Sequence, residues 1–364
     1  MGQRVEIASR ETKHGSYYWT GHLPIKPMNR PLTVTLLLAA LLAFCSEIVL
    51  WIDPPARSLV EWVLLVVGYV ALAGLLIDIM ARYRIGTFFG LIAVAGLYGL
   101  INSLILNPQM ALIEMPRTLV TRVLGAHTLM GLLALAIFFG LLIGFSGRTR
   151  RLIMLIAVAA LGFAWGGWSR WSGGAGGAVY EVTPELSLTP TAIALVFLCL
   201  IAAAWLFVRR AMADGSIPAP RVVDKAARYR LNRVGIVLML AAFLLNLGYH
   251  LPRGDIDGIS AVIIGILIAV VWVILWYQKR KKGAAVLESL DSVQREPPLY
   301  WLIAAVIFLL SGVLGHHLPR AAQTGDVIAW LSALFTAFGI VWLPALTLVI
   351  GARAWSRQAR AMKL

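Results

Sequence analysis

Charge is what this chain has least of. Asp, Glu, Lys and Arg make up 13% of its 364 residues, against ~25% in an ordinary soluble domain. With 60% hydrophobic residues and a mean hydropathy of +0.83, a water-soluble fold is excluded. Cysteine is nearly absent. Cys45 and Cys199 both lie inside apolar runs with no Cys-x-x-Cys spacing, which excludes a disulfide framework and a thiolate metal site and leaves two small core residues. Local signatures of catalysis are missing as well, with no His-Glu-x-x-His, nucleophile elbow or Ser-His-Asp pattern. The stretch Gly173-Gly174-Ala175-Gly176-Gly177 has neither the lysine nor the helix start of a phosphate loop. It reads as a flexible connector ahead of Glu181 and Glu185.

What the chain has in abundance is long apolar runs. Ten follow one another, at roughly 32–52, 59–81, 86–106, 119–146, 152–168, 189–208, 231–250, 258–278, 299–316 and 326–350. About 20 apolar residues in a helix cross a hydrocarbon core of ~30 Å, and an open strand there would leave backbone groups unsatisfied. The expected fold is therefore all-α: a polytopic helical membrane bundle of about ten transmembrane helices spanning residues 31–352. A polar segment, 1–30, precedes it and a basic tail, 353–364, follows. Residues 1–27 are expected outside the bundle, since Met28-Asn29-Arg30 before an apolar run is itself a normal start. No charged leader with a short apolar core and a small-residue cleavage site opens the chain. Pro344 should kink the tenth run unless neighbours satisfy the freed carbonyl.

The placement of basic residues gives an orientation. Ten spans put both termini on one side, and that side holds twenty-six of the 32 Lys and Arg, against six on the other. By the positive-inside rule the termini and the loops 209–233 and 279–298 face the cytoplasm of a cell (inner) membrane. Part of the first loop, from Arg221 to Arg230, has the composition of a surface helix. The cluster Lys279-Arg280-Lys281-Lys282 beside a span suits anionic lipid headgroups. The net charge of +15 is thus assigned to lipid and topology rather than to nucleic acid. Gly86-xxx-Gly90, Gly140-xxx-Gly144 and Gly162-xxx-Gly166 are candidate close-packing seams. Trp51, Trp62, Trp168, Trp171 and Trp330 are expected at the outer interface, and Trp205, Trp276, Trp301 and Trp355 at the inner one.

One short motif occurs twice. Leu247-Gly248-Tyr249-His250-Leu251-Pro252-Arg253 and Leu314-Gly315-His316-His317-Leu318-Pro319-Arg320 agree at six of seven positions. Each is followed by Gly-Asp, and later by Val-Trp. The last four spans therefore read as two same-orientation hairpin repeats.

Polar residues inside spans are costly and mark function by default. Glu47, Glu61, Asn102, Arg122, His127, Asn246, His250 and Ser311 all fall in outer halves or ends, with His316, His317, Asp255, Asp257 and Asp326 adjoining. Pro-linked arginines, Arg57, Arg117, Arg253 and Arg320, stand on the same side. Only Asp78 falls in an inner half, one turn from Arg82, as an interfacial ion pair. The candidate substrate-binding set is His250, Arg253, His316, His317, Arg320, His127, Arg122, Glu47 and Glu61. Arginine forks would hold a carboxylate or phosphate there. The competing account makes His-Leu-Pro-Arg a helix terminator, with Pro as breaker and Arg reaching headgroups. A zinc site would draw on His127, His250 and His317 with Asp255 or Asp326. A b-type haem would take two of those histidines. The reading placed first has no cofactor.

Three functions follow in order: a carrier or lipid-handling protein with an outward-facing site for an anionic or amphipathic substrate, a membrane enzyme or haem- or metal-binding protein using the outer histidines, and an accessory subunit of a homo- or hetero-oligomeric complex. Few charges at mid-membrane argue against an ion-coupled pump, which wants a buried carboxylate relay.

Overall fold

The computed structural model describes residues 30–50, 57–112, 114–144, 147–168, 171–173, 179–181, 188–213, 225–278, 285–291, 297–317 and 323–361. It is a helical bundle with ten helices long and apolar enough to cross a membrane. The helices are α1 (Arg30–Ala43), α2 (Leu59–Arg82), α3 (Phe88–Ile101), the short α4 (Pro108–Ala111), α5 (Thr128–Ile143), α6 (Arg148–Trp168), α7 (Leu188–Ala213), α8 (Arg233–His250), α9 (Gly258–Gln278), α10 (Pro298–His316) and α11 (Gln323–Ala361). A short antiparallel pair, β1 (Trp171–Gly173) with β2 (Val179–Glu181), joins α6 to α7. Three spans are completed by π-helical segments. These are π1 (Phe44–Leu50) after α1, π2 (Asn102–Leu106) after α3, and π3 (Leu119–His127) before α5.

Local chemistry sets the helix ends. Ser58 and Glu61 form a reciprocal capping box at the start of α2, which satisfies two otherwise orphaned N–H groups. Thr87 caps α3 by accepting from Gly90 N at 3.1 Å, and Asn232 caps α8 by accepting from Gly235 N at 2.7 Å. The α6 helix begins at Arg148, one turn earlier than the apolar run, because helix geometry does not stop where hydropathy does. The α11 helix runs unbroken through Pro344 to Ala361.

Contacts between connections support the alternation of ten spans. At one end, Arg57 before α2 meets Asn107 after π2, and Arg253 after α8 meets Glu61 of α2. At the other end, Arg84 before α3 meets Glu288 before α10, and Val286 N donates to Ile85 O at 2.7 Å. There Asp78 pairs with Arg82 as expected and also accepts from Leu231 N at 2.8 Å. Connections that a ten-span chain places on the same side do touch. Of the segment expected as a surface helix, residues 221–224 lie outside the described residues, and the rest forms a 3-10 turn, Lys225–Tyr229, with Ala226 and Tyr229 buried. Tucking these apolar side chains against α2 beats exposing them.

The spans are not equal partners. The first four are 61% to 78% buried, and the other six only 17% to 28%. The core is therefore α1–π1, α2, α3–π2 and π3–α5, and the remaining spans pack around it. Of the three glycine seams, Gly162-xxx-Gly166 joins α6 to α10 most closely. A Cβ added at Gly166 would lie 1.8 Å from Gly312 O, and one at Gly162 would lie 2.3 Å from Phe308 O. Gly144 instead ends α5 with a φ of +79°. The two sequence-repeated hairpins dock differently: α8 lies on α2 and α9 on α3, whereas α10 pairs with α6 and α11 with π3.

Candidate functional site

The three π-helical segments meet at one end of the four-span core, and their polar side chains converge there. A π-turn widens the helix and is frequent at functional sites. Its wider register also takes carbonyls out of the usual ladder, and here indole groups serve two such segments. Trp165 of α6 donates to Ile48 O of π1 at 2.8 Å, and Trp342 of α11 donates to Leu124 O of π3 at 2.8 Å. Trp342 lies over Gly96, where an added Cβ would come within 2.2 Å of the ring. Close approach of π3 to α11 is likewise reserved by glycine, since a Cβ at Gly125 would lie 2.3 Å from Phe335 O.

Glu47 on π1 is the centre of the cluster, with a side chain 1% exposed. Its Oε2 takes an ion pair from Arg57 Nη2 at 2.8 Å, and the arginine side chain is itself only 9% exposed. Its Oε1 accepts a short hydrogen bond from the Tyr69 hydroxyl and another from Asn107 Nδ2 at 2.9 Å. Asn107 is the hub. Its Oδ1 accepts from Arg57 Nη2 at 2.7 Å, and its Nδ2 reaches Asn102 Oδ1 at 3.2 Å. Asn102 of π2 in turn points its Nδ2 at His127 Nδ1, 2.8 Å away, and at Ser46 Oγ. Because Asn102 Oδ1 faces Asn107, its amide nitrogen faces the ring, so Nδ1 accepts and the ring proton sits on Nε2. Tyr98 is fully buried beside Ser46 and Tyr69. Five connected side chains thus link a buried guanidinium to a buried imidazole: Glu47, Tyr69, Asn107, Asn102 and Ser46.

Of the nine residues expected to bind substrate, two belong to this cluster, Glu47 and His127. Arg122 shares π3 with His127 and is half-buried. A second, shallower patch holds three more. His250 Nδ1 donates to Asp255 Oδ2 at 2.8 Å, and Arg253 bridges to Glu61 at 3.3 Å while stacking on the Tyr249 ring at 3.7 Å. Each of these partners is met within the patch, as helix termination requires. His316 and His317 stand at the end of α10, the second of them exposed, with rings edge-to-face at 5.4 Å. Arg320 and Asp326 lie outside what is described, the first entirely and the second for its side chain. The histidines proposed as a zinc set are not gathered: among the described residues no three His, Cys, Asp or Glu side chains stand where they could hold a metal ion. His127 and His250 are held on different elements by different partners, Asn102 and Asp255.

Trp205, expected at the level of the inner interface, is buried and donates to Leu141 O, near the end of α5, at 3.2 Å. The sequence reading missed Ser46, Tyr69, Tyr98 and Asn107 altogether. The available signal was two tyrosines in the middle of apolar runs, since a buried phenol needs a partner. Glu47, near the end of its span in sequence, has a side chain only 1% exposed. Set beside known protein families, curated proteins and solved structures, the chain matches none of them. Its function is argued from the cluster alone.

Proposed function

We propose that this multi-pass membrane protein is a carrier of the lipid-handling kind, which takes the anionic group of an amphipathic substrate at Arg57. The observation that carries the reading is the Arg57–Glu47 pair, buried in the helical core at the mouth of a connection rather than on a surface. A guanidinium fork matches a carboxylate or phosphate in plane and charge. Holding one inside a bilayer-embedded core is expensive, so its retention there favours use over mere stability. An amphipathic substrate reaches this depth with its tail still in the hydrocarbon. The cluster offers charge and hydrogen bonds rather than a nucleophile beside a base, because His127 meets an asparagine. With the basic loops cytoplasmic, as the charge count favours, the site faces the outer side.

The test is movement of lipid between leaflets. The full chain is reconstituted in phosphatidylcholine vesicles with a trace of tail-labelled fluorescent phosphatidylglycerol, and dithionite is added outside. Bleaching should run past the outer leaflet with the wild type and stop there with Arg57→Gln. Labelled phosphatidylcholine should move more slowly. Bleaching that never passes the outer leaflet, or that ignores both headgroup and Arg57, would overturn the reading.

A further inference from the structure

We infer that an acyl chain of the substrate lies in a groove along the first three turns of α2, entered sideways from the bilayer. The inference rests on the proposed function above and adds where the hydrocarbon part binds. Leu59, Val60, Val63, Val66 and Val67 are all exposed. Spaced three and four apart, they form one stripe of the helix. The same stripe continues through Val70, which is half-buried, to Gly74, Ile77 and Ala81, which are buried. One face of α2 is thus open in its first turns and closed further along.

The groove has two walls and a floor. On one side Trp62 of α2 meets Phe197 of α7, with ring centroids 6.0 Å apart. On the other side α8 packs against Gly68, where an added Cβ would lie 3.1 Å from Asn246 Nδ2, and Asn246 donates to Leu64 O at 3.1 Å. At 3.6 residues per turn, Trp62 and Gly68 fall on opposite sides of the stripe, so the stripe runs between α7 and α8. The floor is the 225–229 turn with Leu231. That turn packs on α2, Leu231 Cδ2 comes 3.8 Å from a Cβ added at Gly74, and Leu231 N donates to Asp78 at 2.8 Å. From Leu59 to Val70 the open length is about 17 Å at the helical rise, close to one leaflet of a hydrocarbon core of ~30 Å.

The mouth of the groove is charged. Arg57 stands just before α2, with its guanidinium carbon 6.0 Å from the centroid of the Trp62 ring. Anion site and apolar stripe are therefore continuous through Trp62, with the headgroup at Arg57 and the chain running past Val63. An anionic lipid matches both the charge and the length. Four of the five exposed side chains are valines, whose χ1 is stiff, so a chain ordered against them costs little side-chain entropy.

Photolabelling tests this in the full chain, in phosphatidylcholine vesicles with a trace of phosphatidylglycerol bearing a diazirine in its acyl chain. Adducts mapped by mass spectrometry should concentrate on residues 59–67 over the similarly exposed Val262 and Ile266 of α9. They should fall to the α9 level in Arg57→Gln, or when the probe is phosphatidylcholine. Adducts spread alike over both faces whatever the headgroup, as bulk lipid gives, overturn the inference. Adducts on α9 with none on α2, as a second copy covering the stripe would give, overturn it too. A blocking variant ties the groove to movement. Val63→Trp fills it at an exposed position and should stop movement of labelled phosphatidylglycerol, while Val262→Trp should leave it as in the wild type. Movement that survives Val63→Trp overturns the groove and leaves the carrier standing. Headgroup-selective labelling of α2 in a wild type that moves no probe overturns the carrier and keeps the groove as a binding site.

Discussion

Replacing Arg57 by glutamine should destabilise the protein far more than replacing both members of its pair with Glu47. Breaking a buried ion pair from one side costs about 3–5 kcal/mol, because the other charge is left uncompensated. Here the abandoned group is Glu47, 1% exposed and still bonded by Tyr69 and Asn107. Adding Glu47→Gln removes that charge and should recover stability to within about 1 kcal/mol of the wild type. Thermal unfolding of the purified protein in detergent, for the wild type, both single variants and the double variant, measures the cycle. An Arg57→Gln penalty below about 1 kcal/mol, or one that the second substitution does not relieve, would refute the picture of Glu47 as a buried partner of Arg57.

The α6–α10 seam provides a paired test on adjacent residues. Gly166→Ala puts a Cβ against Gly312 O and should lower stability by about 1–3 kcal/mol or more, whereas at Gly167 nothing lies within 4 Å, so Gly167→Ala should be neutral or raise it by up to about 1 kcal/mol through helix propensity. Because Trp165 ties that seam to π1, Gly166→Ala should also slow lipid movement. The repeated motif should respond unequally: His250→Asn loses its bond to Asp255 for about 1 kcal/mol, and His317→Asn, exposed, should change unfolding by less than about 0.5 kcal/mol. Equal effects would restore the view of the two histidines as equivalent. Finally, a cysteine placed at Ser292 should resist an impermeant reagent added outside intact cells, and its labelling there would reverse the orientation read from the basic loops.

The class of this protein was decided by composition and run length alone. Ten apolar stretches can only be spans, because lipid offers backbone groups no partner, and the basic loops bias their direction through a charge effect that needs no tertiary contact. Asp78 with Arg82, one helical turn apart, was legible for the same reason, since helix geometry alone joins them. The site was not legible. Glu47, Arg57, Tyr69, Asn107, Asn102 and His127 are spread over four spans and two connections, and sequence spacing carries no record of which faces meet. The duplicated His-Leu-Pro-Arg motif drew attention because repetition is visible in one dimension, yet in its first copy His250 pairs with Asp255 and Arg253 with Glu61, in a shallow patch apart from the Glu47 cluster. Burial was decided in three dimensions as well. Apolarity does not separate the spans, with mean hydropathy 2.0 to 2.5 in the first four and 1.4 to 2.9 in the other six, so only packing made the first four a core and the other six its surround, and only that packing brought an arginine against a glutamate near a helix end.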